Sequence, residues 1–374
     1  MRCATIAKKA FMVTKTEWQL YSSSQEAWGA MLSAINKAEH TIDIEQYIFT
    51  TDETGQRFIA ALLAARQRGV KVRILCDSVG SEGMVFDDFD EQPLLDAGIE
   101  IVFFSPARFW NLWKIFRFSL WLLRDHSKIL IIDGHTGFTG GVGIRADMVS
   151  WRDSHVCITG PVVSAMVEAF ERMWQQVSRG RRIIGGFSRF VPDSAFQFVM
   201  NFPKPHQRYI YYAFLAAIKS AQKYIYLTTP YFIPTRRFSR ALKKAVARGV
   251  DVRLIVPRYN DHQIVDLASR SYYTVALRAG IRIFRYAPSM IHGKIAVIDD
   301  CWASVGSANL DNLSFLLNYE GNLFSTDATF VGETCAQFEE LLGESPEVLL
   351  GEWKKRPFHQ KFLEALTWPF HRLL

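Results

Sequence analysis

The sequence predicts an α/β protein made of two tandem α/β/α lobes with mixed, largely parallel sheets and a site where the lobes meet. Three observations carry this. Strand-like and helix-like runs alternate along the chain, the arrangement of a sheet flanked by helices. The alternation is written twice. One short pattern, His-x-Lys with Asp five residues after the Lys, stands at the same point of both copies: HSKILIID from His126 and HGKIAVID from His292.

The repeat can be followed element by element. Segment 34–77 aligns with 217–257. In each, a helical pattern ends, a β-rich run follows (41–49 and 224–231), and an amphipathic helix then runs to an Arg-Gly pair, Arg68-Gly69 or Arg248-Gly249. The glycine suits a left-handed helix stop, and VKVRILCD or VDVRLIVP then reads as a buried strand. Further on, DAGIEIVFFSP answers to RAGIRIFRYAP, and each half reaches its His-x-Lys strand. A Gly- and Arg-rich stretch at 178–188 suits the boundary, giving lobes over 1–180 and 181–350 and a basic amphipathic tail over 351–374. The halves differ in one place. Pro106 precedes His126 by 20 residues, whereas Pro288 precedes His292 by four, so the first half carries about 16 extra residues, ARFWNLWKIFRFSLWL at 107–122.

Composition bounds the rest. A chain of 374 residues, 49% hydrophobic, buries a large core, which excludes disorder. Five scattered cysteines without a CxxC pair suggest neither a disulfide framework nor a zinc site and fit a reducing compartment. The N-terminus lacks the apolar run of a secretory signal, and no window offers the 18 to 20 uncharged apolar residues of a spanning helix. A net charge of +7 suits an anionic partner, nucleic acid or acidic lipid.

The paired motif has a chemical reading. Side chains alternate along a strand, so His126 and Lys128 share a face, as do His292 and Lys294. Lysine is not a usual metal ligand, which points to an anion held beside a nucleophile or acid. Two such strands brought together place two imidazoles and two ammoniums around one phosphate. One neutral imidazole attacks phosphorus while the other, protonated, serves the leaving oxygen. The lysines neutralise the non-bridging oxygens. After each motif comes a turn, a short strand and a Gly-Gly or Gly-Ser pair, Gly140-Gly141 and Gly306-Ser307, where backbone amides can approach a phosphate. His135, His155, His262 and His359 lack repeat partners and read as surface or packing residues.

These residues resemble the phospholipase D superfamily, whose HxKxxxxD motif occurs twice in bilobal members. The likeness runs from Trp28 to Phe324 and is strongest over HGKIAVIDDCWASVGSANLDNLSFLLNYE. It implies a phosphohistidine intermediate, neither metal nor cofactor, and transfer of a phosphatidyl or phosphoryl group to an alcohol or water. It makes His126 the nucleophile and His292 the leaving-group acid, with Lys128 and Lys294 gripping phosphate. It makes Asp133 and Asp299 either catalytic or structural, Ser307 and Asn309 phosphate contacts, and Asp153 and Glu320 the carboxylates that orient the imidazoles. Gly143 departs from the pattern, standing where relatives often have Asn.

Within the superfamily the chain looks most like bacterial cardiolipin synthases of a short, peripheral kind without N-terminal membrane spans. That resemblance implies a phosphatidyltransferase on the cytoplasmic face of the inner membrane, with phosphatidylglycerol as substrate, an anionic phospholipid membrane as partner and no nucleic acid. Phospholipase D hydrolysis is the alternative, with a nuclease or a non-catalytic binding protein behind it. The 107–122 insertion reads as an interfacial segment or as a cap on the core, and the tail as a second anchor or as a docked helix.

Overall fold

A computed structural model describes residues 16–81, 84, 91–104, 123–179 and 194–367. The insertion at 107–122 and nearly all of the expected boundary at 178–188 lie outside the described residues. In the first half the strands are β1 (Trp18–Ser23), β2 (Thr41–Gln46), β3 (Lys71–Asp77), β4 (Glu100–Phe104), β5 (Lys128–Ile132), β6 (Thr136–Gly140) and β7 (Arg152–Thr159). In the second they are β8 (Phe196–Asn201), β9 (Tyr224–Thr228), β10 (Phe232–Ile233), β11 (Asp251–Pro257), β12 (Arg282–Tyr286), β13 (Ile295–Ile298), β14 (Trp302–Gly306), β15 (Leu310–Asp311) and β16 (Glu320–Ser325).

The first sheet runs β4-β3-β2-β5-β6-β7-β1 and the second β12-β11-β9-β13-β14-β16-β8, so the repeat read in the sequence is a repeat of topology, strand for strand. Both sheets are mixed. In each, β2-β3-β4 or β9-β11-β12 is parallel. The motif strand and the three beyond it are antiparallel. The parallel share is smaller than the alternation of helices and strands implies, because each motif strand opens a hairpin instead of a helical crossover.

Local chemistry explains the repeated helices. Asp52 and Thr235 cap Glu53–Gln67 and Arg236–Ala247 by accepting from the amides of Gly55 and Phe238. Each helix stops at its Arg-Gly pair, where Gly69 and Gly249 take φ of 89° and 92°. The arginines anchor the stop: Arg68 donates to the carbonyls of Ile35 and Ala38, and Arg248 to those of Ile218 and Ala221.

The two sheets share a core. Ile129, Ile131, Val156 and Ile158 of the first meet Phe198, Met200, Val297, Val305 and Leu323 of the second in one continuous cluster, closed by helices Val163–Arg179 and Ala328–Gly343. Separate apolar clusters back the outer face of each sheet. Two short bridges cross between lobes: Asp125 pairs with Tyr319 and Arg152 with Ile291. The tail's described part forms helices Leu350–Lys354 and Phe358–Thr367, which pack on Gln263–Arg278.

The motif aspartates close the hairpins at the ends remote from the lysines. Asp133 and Asp299 take φ of 52° and 53°, which aspartate tolerates. The Asp133 carboxylate accepts from the amides of Glu39, His40 and Thr41, and that of Asp299 from those of Gln222, Lys223 and Tyr224. Partial burial pushes both carboxyls up, but the three amides outweigh it and hold each below the usual carboxylate range. At about 3.3 Å per residue they stand some 16 Å along the strand from the lysines. Of the catalytic and the structural reading, the catalytic one is corrected: they lock the motif hairpin to the loop that enters β2 or β9. Asp133→Ala or Asp299→Ala should lower unfolding stability by about 2 kcal/mol, as loss of charge-assisted bonds does, in urea titrations. Unchanged stability with abolished activity would return these residues to the chemistry.

Candidate active site

Each motif histidine sits just ahead of its strand, in the segment that bridges to the other lobe. His126 donates its amide to the Tyr319 carbonyl at 3.0 Å, and His292 donates to the Arg152 carbonyl at 2.7 Å. The next residue on each opposing strand is an acid. Glu320 follows Tyr319, and both its oxygens lie 3.0 Å from His126 Nδ1. Asp153 follows Arg152, and its Oδ2 lies 2.7 Å from His292 Nδ1. The carboxylates expected to orient the imidazoles therefore do so across the lobes: each histidine is held by the other half of the molecule.

Carboxylate contact at Nδ1 fixes the proton there and turns each Nε2 towards the space between the lobes. The two Nε2 atoms differ. That of His292 lies 2.7 Å from Lys294 Nζ, which also donates to the His292 carbonyl at 2.6 Å. That of His126 has no hydrogen-bond partner among the described residues; its ring stands edge-on to Tyr47, with centroids 4.6 Å apart. Lys128 donates to the His126 carbonyl at 3.0 Å and lies over the Tyr47 ring.

Burial governs the protonation states. It lowers the His126 imidazole to about 4, with Glu320 opposing and the two lysines reinforcing. It lowers His292 as well, helped by the adjacent Lys294 ammonium. It brings Lys128 down to about 8 and Lys294 to about 7. The site thus holds neutral imidazoles, each backed by an anion, next to ammoniums that titrate near neutrality.

The remaining expected residues support this arrangement from behind. Ser307 is fully buried; its hydroxyl donates to Glu320 Oε2 at 2.5 Å and accepts from the Gly321 amide. It positions Glu320, and it is not among the residues that line the cavity. Gly140 and Gly141 are likewise corrected from phosphate cradle to clearance. The Gly141 amide donates to the Ser154 carbonyl, and a Cβ on Gly141 would lie 2.0 Å from Asp153 Oδ1. A Cβ on Gly140 would lie 2.3 Å from the Ser154 carbonyl oxygen. Asn309 does line the cavity, with its Oδ1 unpaired. Gly143 gives its carbonyl to the buried Trp28 indole at 2.8 Å.

The histidines open into a cavity of about 200 Å³ whose walls include Tyr47, Arg145, Trp151, Tyr231, Asp261, His262, Asn309 and Asp311. Most of these were not foreseen, and His262, read as an ordinary surface residue, stands at the rim. The repeat held one signal. Ile144 bridges Phe49 as Leu310 bridges Phe232, so Arg145 and Asp311 are equivalent positions. The first lobe gives the cavity a cation there and the second a carboxyl that burial pushes up to about 7. Behind His126 lie Glu45 and Asp125, fully buried against each other; burial raises both, Asp125 to about 7. Thr228 and Ile291 hold the equivalent places in the second lobe. His155 is a packing residue, buried beside Phe138.

Gly141→Ala tests the clearance argument. The added methyl displaces Asp153 and frees the His292 ring, so turnover should fall about as far as in Asp153→Asn, by about 10²-fold or more, while the protein stays folded by circular dichroism. Full activity in Gly141→Ala would show that Asp153 need not be where it is.

The family described as "Cardiolipin synthase, PLD-like domain" matches residues 31–174 and 214–342, one span in each lobe. Cardiolipin synthase 1 of Bacillus cereus is 34% identical, over 94% of this chain and 71% of its own length. The probable cardiolipin synthase YwiE of Bacillus subtilis is 35% identical, over 96% of this chain and 73% of its own. Among solved structures, the phosphatidylserine synthase of Haemophilus influenzae superimposes with a TM-score of 0.73 at 14% identity, covering 95% of this chain and 93% of that one, a likeness of fold. The repeated motif, the paired lobes and these relatives lead to one statement: the chain belongs to the cardiolipin synthase family of phospholipase-D-like proteins.

Proposed function

We propose that this protein is a phosphatidyltransferase that makes cardiolipin from phosphatidylglycerol through a phosphohistidine on His126. The observation that carries the assignment is the inequality of the two Nε2 atoms: that of His126 faces the cavity unengaged, and that of His292 rests against the Lys294 ammonium. In the first step His126 Nε2 bonds to phosphorus, the bond from phosphorus to the headgroup oxygen breaks, and that oxygen takes a proton from His292 Nε2 as the Lys294 ammonium passes its own to that nitrogen, which leaves Lys294 and His292 neutral. In the second, the terminal hydroxyl of another phosphatidylglycerol gives its proton to His292 Nε2, which hands one back to Lys294, as the hydroxyl oxygen bonds to phosphorus and the bond to His126 breaks. Lys128 and Lys294, both buried, hold the non-bridging oxygens. Water in place of the lipid hydroxyl gives phospholipase D hydrolysis by the same route.

The cavity supports headgroup chemistry. Its volume of about 200 Å³ is below the range of pockets that bury drug-sized ligands, so acyl chains stay outside. Among the described residues no helix is long and apolar enough to cross a membrane, and we place the protein peripherally, at the cytoplasmic face of the inner membrane. Purified protein given mixed micelles of phosphatidylglycerol should yield cardiolipin and glycerol by mass spectrometry. Phosphatidic acid as the product would make it a hydrolase, and nicked plasmid DNA with intact lipid a nuclease. His126→Ala and His292→Ala should each remove nearly all turnover, and the double variant should be little worse than either.

The titration of the lysines gives a pH test. The reaction needs His126 neutral and Lys294 charged, so activity should fall as pH drops towards the His126 value of about 4 and as pH rises through the Lys294 value of about 7. Lys294→Arg keeps the charge but has no proton to pass to His292, so kcat on a soluble alkyl diester should fall at least about tenfold, and the basic limb of the remaining activity should move up from about 7 towards the Lys128 value of about 8. An unmoved basic limb would assign that ionisation elsewhere.

A further inference from the structure

The C-terminal helix Phe358–Thr367 is packed inside out. The side it turns to the protein is polar: Glu364 and Thr367 are buried, Glu364 is gripped by Arg356 at 2.6 Å and lies 3.4 Å from Arg270, and Gln360 accepts from Arg270 at 3.1 Å. The side it leaves outside is apolar. Phe358, Phe362 and Leu366, spaced four apart and so on one face, are 80%, 53% and 53% exposed, with Leu363 beside them at 44%. A soluble helix places its apolar stripe on the core and its charges outside. Here ion pairs hold the helix to the protein and leave the stripe for something else.

Its surroundings say what that is. The helix runs along Gln263–Arg278 towards that helix's first residues: Trp353 packs on Tyr273, Gln360 meets Arg270, and Glu364 lies within the field of Asp266. At that end Ile264 is 66% exposed, and its neighbours His262 and Val265 line the catalytic cavity. Tyr259, 64% exposed, precedes them in the chain. The helix that carries the apolar stripe therefore lies against the helix whose first turn reaches the mouth of the site. The stripe is bordered by exposed Lys354, Lys355 and Lys361, and the acid within the helix, Glu364, is consumed by arginines.

We infer that this stripe docks the protein on an anionic phospholipid surface, with Phe358, Phe362 and Leu366 entering the headgroup boundary and the lysines meeting lipid phosphates, so that the cavity mouth faces the bilayer. The inference rests on the lipid reading of the site and names the surface by which that site meets its substrate. A small cavity with acyl chains outside needs such a contact.

The test uses the full chain with Phe358→Ser, Phe362→Ser and Leu366→Ser combined. Binding to phosphatidylglycerol-containing vesicles, read by sedimentation without turnover, should weaken by at least about tenfold, while cleavage of a short water-soluble phosphodiester stays within about twofold of wild type. Because binding is scored without catalysis, it can fail or succeed independently of the transferase reading. As an independent arm, Phe362→Cys carrying an environment-sensitive fluorophore should shift to the blue on these vesicles and not on phosphatidylcholine alone. Wild-type binding by the triple variant, or an unshifted probe on vesicles that retain the protein, overturns the proposal. So does a wild-type dimer that the triple variant dissociates without loss of vesicle binding, which makes the stripe an interface between copies of the chain.

Discussion

The structure depends on an exchange between its two halves: each lobe supplies a histidine and the other lobe supplies what holds it. The backbone of 319 and 152 receives the two histidine amides, and the next residues, Glu320 and Asp153, take the two Nδ1 atoms. Neither lobe alone has a complete site. The shared core between the sheets follows from this need, because the bridges keep their register only if β5 and β13 are pressed against the opposite sheet. The glycines beside each motif follow as well. Gly141 leaves room for Asp153, and in the second lobe Gly306 leaves room for Asn322, where a Cβ would approach to 2.3 Å.

Pseudo-symmetry builds the site and small departures from it set the chemistry. Two equivalent imidazoles in equivalent fields would compete for the same role. Here one Nε2 is engaged by its own lysine and the other is open, and the acids Glu45 and Asp125 lie under the open one alone. Arg145 and Asp311, equivalent by position and opposite in charge, give the cavity a cationic and a hydroxyl-accepting side. A transfer between two lipids needs such a division, since donor and acceptor arrive with the same headgroup and leave with different bonds.

Much of this was legible in the chain. The alternation, the Arg-Gly stops and the paired motif reappear as strands, helix ends and facing histidines, because each is set by local residue order. Asp153 and Glu320 could be picked out by their place after each motif, but nothing local says that they trade lobes; that depends on how two sheets face each other. Asp133, Ser307, Gly140 and Gly141 were near the chemistry in sequence and turned out to be its supports, since adjacency along a strand says nothing of what fills the space beside it. Part of the cavity wall, Asp261, His262 and Val265, comes from the loop before helix Gln263–Arg278 and from its first turn, where no sequence pattern points to the site. In the tail the composition suggested an amphipathic helix; which face looks outward is fixed by Arg270, on a helix about 90 residues earlier.

The central claim is that one histidine, His126, carries the covalent intermediate. A nitrophenyl phosphodiester, whose phenolate leaves without protonation, separates formation of that intermediate from its breakdown, which needs His292 as base. With His292→Ala, peptide mass spectrometry after a short incubation should find the phosphoryl adduct on the peptide containing His126, and His126→Ala should carry none. An adduct on His292 in the His126→Ala protein would contradict the account and reverse the roles of the two lobes.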